Sequence, residues 1–260
     1  MGFAAEAAVS AARGRAPGRQ APAVVALLPL VVLWEAAGRA GVSQFVPPLS
    51  GIAAAWWALV RGGTLWAALS GSLLSLAKGF ALALAVGVPL GVAMGRYRTA
   101  RELFDPYVNA LASAPLSALV PVLIAIFGIR DTVVAATVFL FALFIIVINT
   151  MTGVQGAGRS VVEMARSFGA SEGQLLRKVL LPAALPAIMV GVHLGAVQAV
   201  KGMVVGEMLV ALVGLGERLV YYANTFLIVQ LYAVILTVVA MALLAGQVAR
   251  LADRALIRWK

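Results

Sequence analysis

The chain has no cysteine, a single histidine and only ten acidic side chains among 260 residues. Without cysteine there is no disulfide framework. One histidine and scattered carboxylates provide neither a plausible metal cluster nor a catalytic triad. No Gly-x-x-x-x-Gly-Lys-[Ser/Thr] phosphate loop occurs, so the chain brings no ATP-binding machinery of its own. Charge is thin throughout, at 12% of residues against about 25% in an ordinary soluble domain.

Apolar surface takes its place. Hydrophobic residues make up 63% of the chain, where roughly 45–50% is usual. They come in blocks separated by short charged stretches, each close to the ~20 residues that cross a ~30 Å hydrocarbon layer. Within lipid the backbone must pair with itself, which leaves helices or a closed barrel. Runs of Leu, Val, Ala and Ile without alternating polarity select helices. The expected fold is an all-α polytopic bundle of about six spans, near 22–38, 66–94, 106–128, 132–152, 186–209 and 228–249.

The organisation expected is a disordered tail over 1–20, then a transmembrane domain over 21–260. The first apolar block is not read as a cleaved signal peptide, because no Ala-x-Ala-like site follows it and further spans do. Phe45–Ser50 reads as a rigid connector containing Pro47 and Pro48. Gly51–Val60, with Trp56 and Trp57, reads as an amphipathic stretch at the interface, where indole rings settle. Gly87, Gly91 and Gly95 fall on one helix face and allow another helix to come close.

A net charge of +10 would suggest nucleic acid in a soluble protein. Here its distribution matters more, and no nucleic-acid partner is expected. With the N-terminus inside, fourteen of the twenty Lys and Arg fall on the cytoplasmic side and four outside, with Lys78 and Lys201 inside spans. The positive-inside rule thus places both termini in the cytoplasm and makes 153–185 the largest cytoplasmic loop.

That loop carries two helix starts. Ser160 with Glu163 has the spacing of a capping box, and Gly169 suits the residue just past that helix's end. Ser171 with Gln174 repeats the start signal, with Pro182 expected to interrupt the second helix. The loop reads Glu163-Met164-Ala165, three residues, Gly169, nine residues, then Val179-Leu180-Leu181-Pro182. This resembles the signature of inner-membrane permease subunits of ATP-binding-cassette importers: Glu-Ala-Ala, three residues, Gly, nine residues, Ile-x-Leu-Pro. The departures are Met164 and Val179.

The resemblance covers roughly 47–259 and is closest to the branch that imports nitrate, sulfonates and taurine. Ser72-Leu73, Gly79-Phe80, Asp105-Pro106, Pro115 with Pro121, Phe127-Gly128-Ile129, and Glu207 followed by Gly214-Leu215-Gly216 also carry it. It implies a type I importer fold and partners that are a dimer of ATPase subunits, a second permease copy, an external solute-binding protein and membrane lipid. ATP would be bound by the partner, with no cofactor here. Coupling would fall to Glu163, Ala165, Arg166, Gly169, Leu181 and Pro182, as a short helix seated in the ATPase.

Ionisable groups inside spans are functional candidates by default. Lys201, Glu207 and the nearby Gln198 are candidates for a substrate pathway or gate. Lys201 and Glu207 are six residues apart, about 240° around a helix, so they do not share a face. Glu207 could equally be a structural carboxylate on backbone amides. Lys78 and His193 read as structural. Two other classes stay in view: a secondary transporter, which would show inverted repeats and broken midplane helices, and a membrane-embedded enzyme.

Overall fold

The computed structural model describes residues 21–210 and 214–256; the tail expected over 1–20 lies outside them. Among the described residues every regular element is a helix. The chain divides at Ala54–Ala55 into two units.

The smaller unit contains α1 (Ala21–Arg39) and the start of α2 (Leu49–Arg61). The Trp34 indole donates to the Pro47 carbonyl at 3.0 Å. Glu35 accepts from the Ser50 backbone N–H at 3.1 Å and its hydroxyl at 2.7 Å. The proline connector is therefore held at both ends by side chains of α1.

In the larger unit, α2 continues past Trp56, whose indole donates to the Thr237 hydroxyl at 3.0 Å, while half-exposed Trp57 lies under the Arg61 guanidinium. Then come α3 (Thr64–Arg96), α4 (Arg98–Ser113), a 3-10 turn (Leu116–Leu119), α5 (Val120–Phe127) and α6 (Asp131–Gln155). A short α7 (Arg159–Ser167) leads to α8 (Glu172–Leu175), a π-helical stretch (Leu176–Leu180) and α9 (Leu181–Val210). Finally α10 (Leu215–Asn224) precedes α11 (Ile228–Leu256).

Among the described residues four helices are long and apolar enough to cross a membrane: α3, α6, the continuous run Glu172–Val210, and α11 over Ile228–Asp253. The expected third span, 106–128, is not one helix. Its helices bend by 98° between Ser113 and Leu116. Pro115 is the cause, since a residue before proline is driven out of the α region, and Ala114 is extended at φ −74, ψ 150.

The core is built around α6, packed against α3 on one side and α9 on the other. Both contacts depend on small residues. A Cβ at Gly91 would come within 2.6 Å of Thr150 Cβ, one at Gly95 within 2.6 Å of Val154 Cβ, and one at Gly195 within 2.8 Å of Ile146 Cγ1. The glycine face read from the sequence thus meets α6. Lipid offers no hydrophobic drive between helices, so such close backbone approach supplies the association energy through van der Waals contact.

Candidate functional site: the 158–182 loop and the Glu207 turn

The loop sits where α3 and α6 both end. α7 begins one residue before Ser160, with Gly158 in the cap position and no side-chain cap. The Gly158 carbonyl accepts from Val161 and Val162 at 3.1 and 3.2 Å, so the first turn closes before Ser160. A capping side chain must sit outside the helix; Ser160 is inside it, and the expected Ser160–Glu163 box does not form.

The other end matches its expectation. The Gly169 N–H donates to Arg166 O at 2.9 Å and the Ala170 N–H to Ala165 O at 3.1 Å, the paired bonds of a Schellman stop. Gly169 has φ +78, a conformation that costs a side-chain-bearing residue roughly 1–2 kcal/mol. Two residues later Ser171 caps α8 with Gln174 in a reciprocal box.

Pro182 does not stop that helix, contrary to the sequence expectation. Proline has no N–H to give and its ring presses on the carbonyl four residues back. The π-helical stretch removes the conflict by letting the Leu181 N–H reach Leu176 O, one residue wider than an α-turn. The helix therefore runs on to Val210, carrying Leu181 and Pro182, both half-buried, at its base.

Glu163 and Arg166 are exposed, Ala165 is half-buried, and Glu163 and Arg166 line a hollow of about 440 Å³ with Arg96, Gln155 and Leu175. Charges tie the loop to the bundle. Glu172, the first residue of α8, accepts from Arg96 at the end of α3 and from Arg166 on α7 at 3.3 Å. The Arg96 hydrogen bond, aided by the charges of Arg96 and Arg166, holds the exposed Glu172 carboxyl below its ordinary range. Sequence reading missed this residue; its place directly after the Ser171 cap was the available signal.

A second feature was missed as well. Val161 and Met164 on α7 and Phe168 at its C-cap form an exposed apolar stripe, and Phe168 is 85% exposed. Their spacing of three and four residues puts them on one helix face, pointing away from the bundle.

The pathway candidates separate. Glu207 is 2% exposed and accepts from the Gly216 N–H at 2.8 Å and from the Ser72 hydroxyl. Ser72 Oγ in turn accepts from the Leu215 N–H at 3.0 Å. Gly214, at φ +133, lies so close that any Cβ would strike the carboxylate. Glu207 and Ser72 together pin the start of α10. Lys201, on another face of α9, is exposed. Gln198 lines a cavity of about 350 Å³ beside the α4–α5 break, with Ser117, Phe141 and Phe144, and its Oε1 is buried without a partner. His193 is packed, with Nδ1 2.9 Å from Gly246 O and Nε2 3.3 Å from Arg250.

Comparison with known proteins agrees with this architecture. Residues 87–259 match the family described as binding-protein-dependent transport system inner membrane component. The chain is 36% identical over 235 residues, 88% of each chain, to SsuC of Escherichia coli, named for aliphatic sulfonates transport. It is 33% identical over 238 residues to RibX of Chloroflexus aurantiacus, a riboflavin transport system permease protein, covering 91% of this chain and 89% of that one. A structure of the MetNI methionine ABC transporter in an inward-facing conformation aligns at TM-score 0.55 and 25% identity, over 76% of this chain and 96% of that one.

Proposed function

Since this chain belongs to the family of binding-protein-dependent transport system inner membrane components, we propose that it carries a small organic anion of the sulfonate class across the membrane, powered through the 158–182 loop. Members of the family work with an ATPase and a solute-binding protein. The protein is a multi-pass membrane subunit of an importer, and its part is mechanical. An external ATPase supplies the energy, a second copy of the chain completes the pathway, and both termini face the cytoplasm.

The observation that carries this is the loop itself. A Schellman stop, a capping box and a π turn define the path from the short helix α7 into α9, and Glu172 ties α7 and the end of α3 together through Arg166 and Arg96. The outward face of α7 bears apolar side chains that nothing among the described residues covers. A surface of that kind suits transmission of force from a partner. Sulfonate as solute is supported by the aliphatic-sulfonate relative and by the branch that the sequence resembles; the riboflavin relative marks a competing solute.

Co-purification from native membranes tests the coupling. The wild-type chain retains an ATPase subunit, and a chain altered at Phe168 and Gly169 loses it. Recovery of no ATPase with wild type would remove the coupling reading. The cysteine-free sequence makes orientation equally direct to test: a thiol introduced at Phe168 reacts with an impermeant maleimide only from the cytoplasm, and one at Ile129 only from outside.

A further inference from the structure

Lys78 lies near the middle of α3, within a span, where a lysine is costly unless something answers it. It opens into a cavity of about 430 Å³ whose other walls are Ile129, Arg130, Asp131, Thr132 and Ala135. Lys78, Arg130 and Asp131 are all exposed. None of the three belongs to the ion pairs formed among the described residues. Two cations, a carboxylate outside those ion pairs and the Thr132 side chain thus line one hollow. The hollow also stands at the N-terminal end of the 25-residue α6, where helix dipoles add positive potential.

The carboxylate nearby sets the strength of such a site. Asp131 lines the cavity, whereas buried Glu207 does not, its bonds going to Gly216 and Ser72. The Asp131 charge therefore offsets part of that of the two cations. An anion would be held by direct contact with Lys78 and Arg130 and loosened by Asp131. Attraction enough to enter and weakness enough to leave are what a transit site needs.

We propose that Lys78 and Arg130 form an oxyanion-binding site, with Thr132 as a further donor, at the end of α6 opposite the coupling loop. Its ligand is a tetrahedral oxyanion, either the sulfonate headgroup of a solute or the phosphate of a membrane lipid. The solute arm rests on the importer reading above, in which this end of α6 faces outward; the lipid arm stands without it.

The full chain in nanodiscs of phosphatidylcholine, with and without phosphatidylglycerol, distinguishes the two sources. Ethanesulfonate binding is read by calorimetry, and retained phosphatidylglycerol by mass spectrometry. The expected result for a solute site is that K78Q and R130Q each weaken ethanesulfonate at least about fivefold, roughly the loss of one charge-assisted contact. D131N tightens it, and the lipid composition makes no difference. For a lipid site, retained phosphatidylglycerol falls in K78Q and R130Q and rises in D131N, while ethanesulfonate is indifferent to all three. Opposite signs for the lysine and aspartate variants are the diagnostic, because a structural role would make every substitution harmful. K78R keeps the charge and is expected to keep the binding, which covers the case in which K78Q fails to fold. If neither probe responds, or D131N weakens binding along with K78Q, the proposal is overturned. Because the assay needs no ATPase, its failure is separate from failure of the coupling reading.

Discussion

The Arg96 guanidinium donates to the Glu172 carboxylate and so joins the last residue of α3 to the first residue of α8. The pair is half open to water, with side-chain exposures of 22% and 63%, and exposed pairs add little to stability. Its value is positional. When α7 is displaced, α8 and the end of α3 must move with it. E172Q and R96Q are expected to leave the melting temperature nearly unchanged and to lower the solute transported per ATP hydrolysed. The exchange R96E with E172R restores part of that ratio if the link itself matters. Equal loss in the single and exchanged variants would refute it.

The same carboxyl predicts a pH dependence with a definite sign. Its pKa in the folded protein is depressed from 4.5 by Arg96, so the link is fully present above that value and is lost as pH falls through the depressed one. Coupling should therefore survive acidification past the point where an ordinary glutamate is half protonated. An NMR titration of Glu172 Cδ that inflects at or above 4.5 would show the Arg96 contact absent in solution.

Phe168 is the exposed apolar end of α7 and touches little of its own chain. Phe168→Ala should therefore leave the permease fold intact. Removal of a central aromatic anchor costs an interface about 2 kcal/mol or more, roughly thirtyfold in affinity. Affinity for the ATPase, measured by fluorescence titration, is expected to fall by about that factor. An unchanged affinity would place the docking surface elsewhere.

Gly169 and Gly173 provide an internal control, since an added Cβ has open space at both. Only Gly169 has a positive φ; Gly173 lies in the first turn of α8. Gly169→Ala should destabilise the turn by about 1 kcal/mol through backbone strain, whereas Gly173→Ala should be neutral or slightly stabilising. Limited proteolysis of the loop reads the difference. Equal protection in both variants would mean that the Schellman geometry does not persist in the membrane.

How much of this was legible beforehand depended on whether the signal was local. Gly169 as a helix stop and Ser171 with Gln174 as a start are properties of a few adjacent residues, and both hold. Gly87, Gly91 and Gly95 predicted a close contact without naming its partner; only the fold supplies Ile146, Thr150 and Val154. Ser160 misled because Gly158 could close the first turn earlier, a competition that spacing alone does not resolve. Pro182 misled because a π turn accommodates a proline that an α-helix would not. The 98° break at Pro115 was hidden inside an apolar run, since hydropathy records composition and not direction. Glu172 and Arg96 are 76 residues apart, and no pattern in the chain joins them.

Glu207 offers the sharpest separation between a structural and a gating role. Its carboxylate holds the Gly216 N–H and the Ser72 hydroxyl in a buried turn. Glu207→Gln keeps an oxygen to accept from Gly216, and its amide can donate to Ser72, whose hydroxyl can reorient. Glu207→Leu leaves the buried Gly216 N–H without a partner, which costs about 1–3 kcal/mol. If the residue is an anchor, the glutamine variant melts near wild type and transports, and the leucine variant unfolds at a lower temperature, as read by size-exclusion recovery after heating in detergent. If it is a gate, the glutamine variant melts normally but transports nothing, because the lost property is then charge and not hydrogen bonding. The bonds to Gly216 and Ser72 lead us to expect the first pattern.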